Sequence, residues 1–185
     1  MKRALVLSII LLLAACGTKS EHPAATPAAT PTPSPSTPFG SVADIRAYLS
    51  DIDPYIRQVS QLQAQLEQQI GSSGKVTSQN LAAAAAAAAP PLRASVERFQ
   101  QLHPPALLAP VHEEISQLMV SRLDAYTQAI DGWRREQQTG DTTWQRAVEA
   151  QLQRANELIA KINPELQQLN QLVTAGTGPA QVAHP

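Results

Sequence analysis

The sequence predicts an all-α protein, an antiparallel up-down-up-down four-helix bundle with proline-kinked helices preceded by a disordered tether. Three observations carry that expectation. Apolar residues recur at three- and four-residue steps along four long segments. Adjacent segments show no period-two alternation, so a sheet is not expected. And of 185 residues, 43% are hydrophobic but only 4% aromatic, with 8 glycines. So few aromatics argue against a β-sandwich, a stacking platform for nucleic acid and a sugar-binding groove.

Charge and cysteine narrow the function classes further. Fourteen basic residues against fifteen acidic ones give a net charge of -1, no electrostatic footprint for nucleic acid. A single Cys excludes a disulfide framework and a zinc site of the paired-Cys type.

The chain opens with Lys2 and Arg3, then an apolar run from Ala4 to Leu13 interrupted only by Ser8. That run falls well short of the ~20 residues a membrane-spanning helix needs. It fits the h-region of a secretory signal. The run closes on Leu13-Ala14-Ala15-Cys16, which resembles the lipobox of bacterial lipoproteins. The small side chains of Ala14 and Ala15 suit an extended peptidase cleft, and only a thiol forms a thioether. The resemblance implies cleavage between Ala15 and Cys16, a diacylglyceryl group on the Cys16 sulfur, and acylation of the new amine. Residues 1–15 are then a signal peptide. The mature chain loses Lys2 and Arg3, leaving 12 basic against 15 acidic residues, or -3. Lipid rather than charge makes the anchor, since each buried CH₂ is worth about 0.8 kcal/mol. The expected location is extracytoplasmic, on the outer leaflet of the cell membrane, or on the outer membrane in a two-membrane host.

Residues 16–40 read as the lipidated Cys and a disordered linker. Six of the 15 prolines lie between Pro23 and Pro38, interleaved with Thr, Ser and Ala. Such a segment favours polyproline II at about 3.1 Å per residue, a reach of roughly 70 Å.

Residues 41–175 are the expected bundle, and 176–185 a disordered tail. Ser41 is placed to cap the first helix, whose stripe includes Ile45, Leu49, Ile52, Ile56, Leu62 and Leu66. Thr77 caps the second, with Val76 and Leu81 spaced as a hydrophobic staple. It passes through an eight-alanine run, Ala82 to Ala89, that lacks an amphipathic face and reads as a low-complexity expansion with high helix propensity. Pro90-Pro91 follows, before Leu92, Val96 and Phe99 resume the stripe. The third begins after Pro104-Pro105 and ends before Gly140. Asp141 or Thr142 caps the fourth, and Gly176 closes it. Trp133 and Trp144 flank the Gly140 turn and are expected to pack together as a plug on the core.

The segment Ile52 to Leu62 aligns without gaps on Ile162 to Leu172, with Pro54 matching Pro164. Asp53 and Asn163 can each cap a helix whose first residue is proline, so each long helix is expected to break and restart there. With Pro90 and Pro91 at a similar height, the prolines would form one kinked layer. A polar pocket is expected in it, with Asp53, Tyr55, His112 and Asn163 as candidate ligand residues.

No other chemistry emerges. A di-iron bundle needs Glu-x-x-His pairs, but Ala109 precedes His112 by three residues and Gln100 precedes His103. There is no Cys-x-x-Cys-His for haem, no Gly-rich phosphate loop and no Ser-His-Asp arrangement. Glu113 and Glu114 at a helix start are explained by the dipole. No catalytic residue, metal ligand or cofactor is therefore assigned. The Pro104-Pro105 turn, His112 beyond it and the Gly140-Asp141 turn resemble the small helical-bundle domains of uncharacterised function carried by many bacterial lipoproteins. That resemblance implies no activity. The expected function is a non-enzymatic, membrane-anchored domain, monomeric, that binds an envelope protein or a small ligand and no nucleic acid. A structural spacer or adhesin-like surface module is the alternative, and a metal- or haem-binding bundle a third.

Overall fold

A computed structural model describes residues 36–72 and 76–176. The described chain is helical, with four long helices: α1 (Val42–Ser72), α2 (Ser78–Phe99), α3 (Ala109–Thr139) and α4 (Trp144–Ala175). A 3₁₀ turn, Ala106–Leu108, leads into α3. No described helix is long and apolar enough to cross a membrane. The signal sequence, Cys16 and most of the tether lie outside the described residues.

Most helix ends follow from their residues. Ser41 accepts the Asp44 backbone N–H at 3.1 Å and donates its hydroxyl to the Asp44 carboxylate at 2.7 Å, closing the first turn of α1. Thr77 accepts from the Asn80 N–H at 3.1 Å in the same way. Gly140 ends α3 at φ 72°, a conformation that glycine adopts without a Cβ clash. The start of α4 departs from expectation. Asp141 spends its carboxylate on the Thr143 N–H and hydroxyl, at 2.9 and 3.0 Å, so it builds the turn before the helix instead of capping it.

Three further expectations change. The linker was predicted to run to residue 40, yet Ser36–Thr37 pairs antiparallel with Gly40–Ser41 in a small hairpin. Thr37 closes it by donating its hydroxyl to the Gly40 carbonyl at 2.8 Å, and Gly40 turns the chain at φ 101°. Next, α1 and α4 run unbroken through Pro54 and Pro164, and α2 through Pro90 and Pro91. Pro54, Pro90 and Pro164 are exposed; each helix forgoes a backbone bond there without restarting. The Pro91 carbonyl additionally accepts from the Ser95 hydroxyl at 3.1 Å and the Gln58 amide at 3.5 Å.

Finally, the alanine run has a face. Ala82, Ala85 and Ala89 are buried at i, i+3 and i+7, with Ala84 and Ala88 beside them, while Ala83, Ala86 and Ala87 are exposed. Methyl-sized side chains let neighbouring backbones approach, so the run belongs to the core. That core gathers on α3, which packs on both α2 and α4. Phe99, Leu108, Met119, Ile45, Ile52, Leu92 and Leu169 are its most enclosed large side chains.

Candidate functional site

Besides Ser95, bonded to Gln58, two larger polar features interrupt the described core. One centres on His112, in the first turns of α3. Its ring stacks on Phe99 at the end of α2, with centroids 4.3 Å apart and planes 9° apart. Tyr48 of α1 meets it edge-on at 6.1 Å. Tyr55, one α1 position predicted for the site, meets the other side of the cluster through Phe99 at 5.5 Å. His112 is 9% exposed, and its Nδ1 and the Tyr48 hydroxyl are both buried without a hydrogen-bond partner. Burial pushes the His112 pKa down, with the Glu113 charge opposing the shift weakly. Burial also drives the Tyr48 phenol far above its ordinary range. Both groups are held neutral by their surroundings.

His112 also lines a groove of about 480 Å³ where the end of α2 meets α3 and α4. That volume lies within the range of small-ligand sites. Gln100 and Leu102 contribute from the end of α2 and the turn after it. Glu113, Ser116, Gln117, Val120, Ser121 and Asp124 line it from α3, and Gln151 and Arg154 from α4. The α3 positions recur every three or four residues, one stripe beside the core stripe. The Gln117 amide donates to Glu113 at 2.9 Å. Among the described residues, neither Asp124 nor Arg154 makes an ion pair or a side-chain hydrogen bond.

The second polar feature is Arg122, 3% exposed in the middle of α3. Its guanidinium donates to Gln63 Oε1 of α1 and lies close enough to the Tyr126 phenol to interact with it electrostatically. Gln63 passes the interaction outward, its amide donating to Glu67 at 2.8 Å. Burial lowers the Arg122 pKa, opposed by Tyr126 and by the Glu67 charge; Arg122 Nε has no partner. An exposed carboxylate thus balances a buried cation through an intervening amide, which joins α1 to α3 across the core.

Of the four predicted pocket residues, the structure joins Tyr55 and His112 through Phe99 and leaves the other two apart. Asp53 pairs with Arg57 at 2.7 Å on the surface of α1. Asn163 is half-buried in α4. Only His112 lines the groove. Ala15 and Cys16 lie outside the described residues. Among those described, no three His, Cys, Asp or Glu side chains gather as a metal site would require.

The indoles also separate. Trp144 is buried against Gly132 and donates its Nε1–H to Glu136 at 3.0 Å, whereas Trp133 is half-exposed. Arg122 and Gly132 stand outside a reading of apolar residues alone, although the spacing along α3 reveals both; nothing in that spacing reveals Gln63. Val111, Ile115, Leu118, Arg122, Ala125, Ala129 and Gly132 follow steps of four and three along α3. No family model, curated protein or solved structure matches this chain.

Proposed function

We propose that the chain is a membrane-anchored extracytoplasmic lipoprotein, held by acyl groups on Cys16, whose helical domain binds an envelope partner or small ligand without catalysing a reaction. The observation that carries the anchoring is the run Lys2, Arg3, Ala4 to Leu13, closed by Leu13-Ala14-Ala15-Cys16 around the sole Cys. The groove over His112 supports the binding role: it has ligand-sized volume, convergent amides and hydroxyls, and charged groups lacking partners.

In this reading the four helices form an up-down-up-down antiparallel bundle that bends at its prolines. Gln58 of α1 reaching Ser95 of α2, Lys161 of α4 reaching Glu114 of α3, and the close approach of Gly176 to Val42 support that course. Missing amides at Pro54, Pro90, Pro91 and Pro164 supply the points of bending. The tether then holds the bundle off the bilayer.

Metabolic labelling with a clickable fatty acid tests the anchor. The wild-type chain takes label and Cys16→Ser does not; label retained by the variant refutes it. A photo-crosslinking residue at Gln117 tests the groove in intact cells. A discrete adduct is expected there, absent when the same residue replaces the exposed Gln167 of α4. The same adduct at both positions points to contact through general helix surfaces, as in a spacer or adhesin.

A further inference from the structure

We propose that the groove over His112 recognises a zwitterion of the peptide class, a short chain carrying both a free ammonium and a free carboxylate. The inference rests on the binding role just proposed and names its ligand.

The argument begins with the groove's charges. Asp124 stands on α3 and Arg154 on α4, and both line one groove. Neither is paired with the other or with any other described charge. Opposite charges that face one groove without closing on each other leave each free for a ligand. A guanidinium presents a planar fork that matches a carboxylate through two parallel N–H···O bonds. A carboxylate without a partner is the complementary acceptor for an ammonium, and Glu113 adds a second acceptor near the α3 start.

The remaining lining fits what lies between a peptide's ends. Gln100, Gln117 and Gln151 each offer an amide donor and acceptor, the same pair a peptide unit presents. Leu102 and Val120 offer apolar surface for small side chains. The charges select against simpler ligands. A plain anion such as phosphate would meet Arg154 but also Glu113 and Asp124, and a plain amine would leave Arg154 unanswered. Only a ligand with both charges answers Arg154 and the carboxylates together.

His112 belongs to the lining as well. Stacking on Phe99 and the edge contact with Tyr48 brace its ring where it borders the groove. Held neutral, it adds no charge to the count.

The test is calorimetric titration of the full chain in detergent with tri-alanine, N-acetyl-tri-alanine and tri-alanine amide. The expected result is binding of tri-alanine, weakened at least tenfold by blocking either end. Asp124→Asn should weaken tri-alanine at least tenfold yet leave the N-acetylated peptide unchanged. Arg154→Gln should do the same for the amide. Both side chains are exposed and partnerless, so neither substitution threatens the fold. Free alanine separates the sources of the same chemistry: binding as tight as tri-alanine identifies an amino acid site, not a peptide site. Absence of heat with tri-alanine, or equal affinity for the blocked peptides, overturns the inference. A crosslink at Gln117 with no tri-alanine binding removes the ligand class and leaves the groove; loss of both removes the groove as well.

Discussion

Replacing Gly132 by alanine adds one methyl group where the structure has no room for it. A Cβ built on Gly132 lies 2.3 Å from both Cγ and Cδ2 of Trp144 and 2.7 Å from its Cβ. Carbon atoms pack at about 3.5–4.0 Å, so the gap falls short by more than 1 Å. The crowded atoms sit at the root of the indole, so no rotation of a flexible tip relieves them. Alanine would otherwise help α3, by about 1 kcal/mol relative to glycine in a helix interior. Against that gain stands an overpacking cost of about 1–3 kcal/mol if Trp144 shifts in place. If the indole is expelled, roughly 150–250 Å² of aromatic surface returns to water at about 25 cal/mol per Å², some 4–6 kcal/mol. Expulsion also breaks its bond to Glu136, 3.0 Å long. With the helix gain subtracted, the net loss is about 0–2 kcal/mol for a shift in place and about 3–5 kcal/mol for expulsion. Crowding at the root of the indole favours expulsion, hence a fall in Tm on the order of 10 °C. Urea denaturation followed by circular dichroism measures it. Tryptophan emission in a Trp133→Phe background reports whether Trp144 has become exposed. A Gly132→Ala variant as stable as its parent, with unshifted emission, refutes the packing argument.

Other expectations concern the buried polar groups. Arg122→Ala should cost about 3–5 kcal/mol in urea unfolding, because it opens a cavity in the core and also leaves the Gln63 oxygen without its buried donor. Arg122→Met, which fills the space and removes the charge, should lie within about 1–2 kcal/mol of the parent. Tyr48→Phe removes a buried hydroxyl that has no partner and should stabilise the protein by about 1 kcal/mol in the same assay. His112 has its folded pKa lowered from the ordinary 6.5 by burial. The unfolded chain therefore binds a proton more readily, and stability falls as pH drops below about 6.5 toward the folded value, with no penalty above it. Thermal melts from pH 7.5 to 5 should show that decline, reduced in His112→Gln; an unchanged slope in the variant contradicts it.

The four helices were legible because each repeats its apolar residues at helical steps and starts or stops on residues suited to that task. Thr77, Gly140 and Gly176 stand where their chemistry placed them. Proline was misread for a physical reason. Loss of one amide is decisive in an isolated helix but not where Ile52 and Ile162 on the buried side are gripped by neighbouring helices. The groove was illegible because its walls come from three segments, and only folding brings Gln100, Asp124 and Arg154 together. Arg122 was legible in principle. Its place in the four-three stripe marks it as inward-facing whatever its charge, and an inward arginine demands a partner. Which partner, Gln63 on another helix, no spacing along α3 reveals.

The close approach of Gly176 to the first residue of α1 bears on how the chain can be rewired. A Cβ at Gly176 would lie 2.9 Å from Val42 Cγ1, so the start of the first long helix and the end of the last meet at one spot. Beginning and end are spatially joined although the sequence separates them by the whole bundle. The order of the helices is therefore not imposed by the position of the termini. A short glycine linker from 176 to 42, with new ends opened between the exposed Gly140 and Asp141, yields a permuted chain of identical core. A reporter fused at those new ends would stand at the α3–α4 turn.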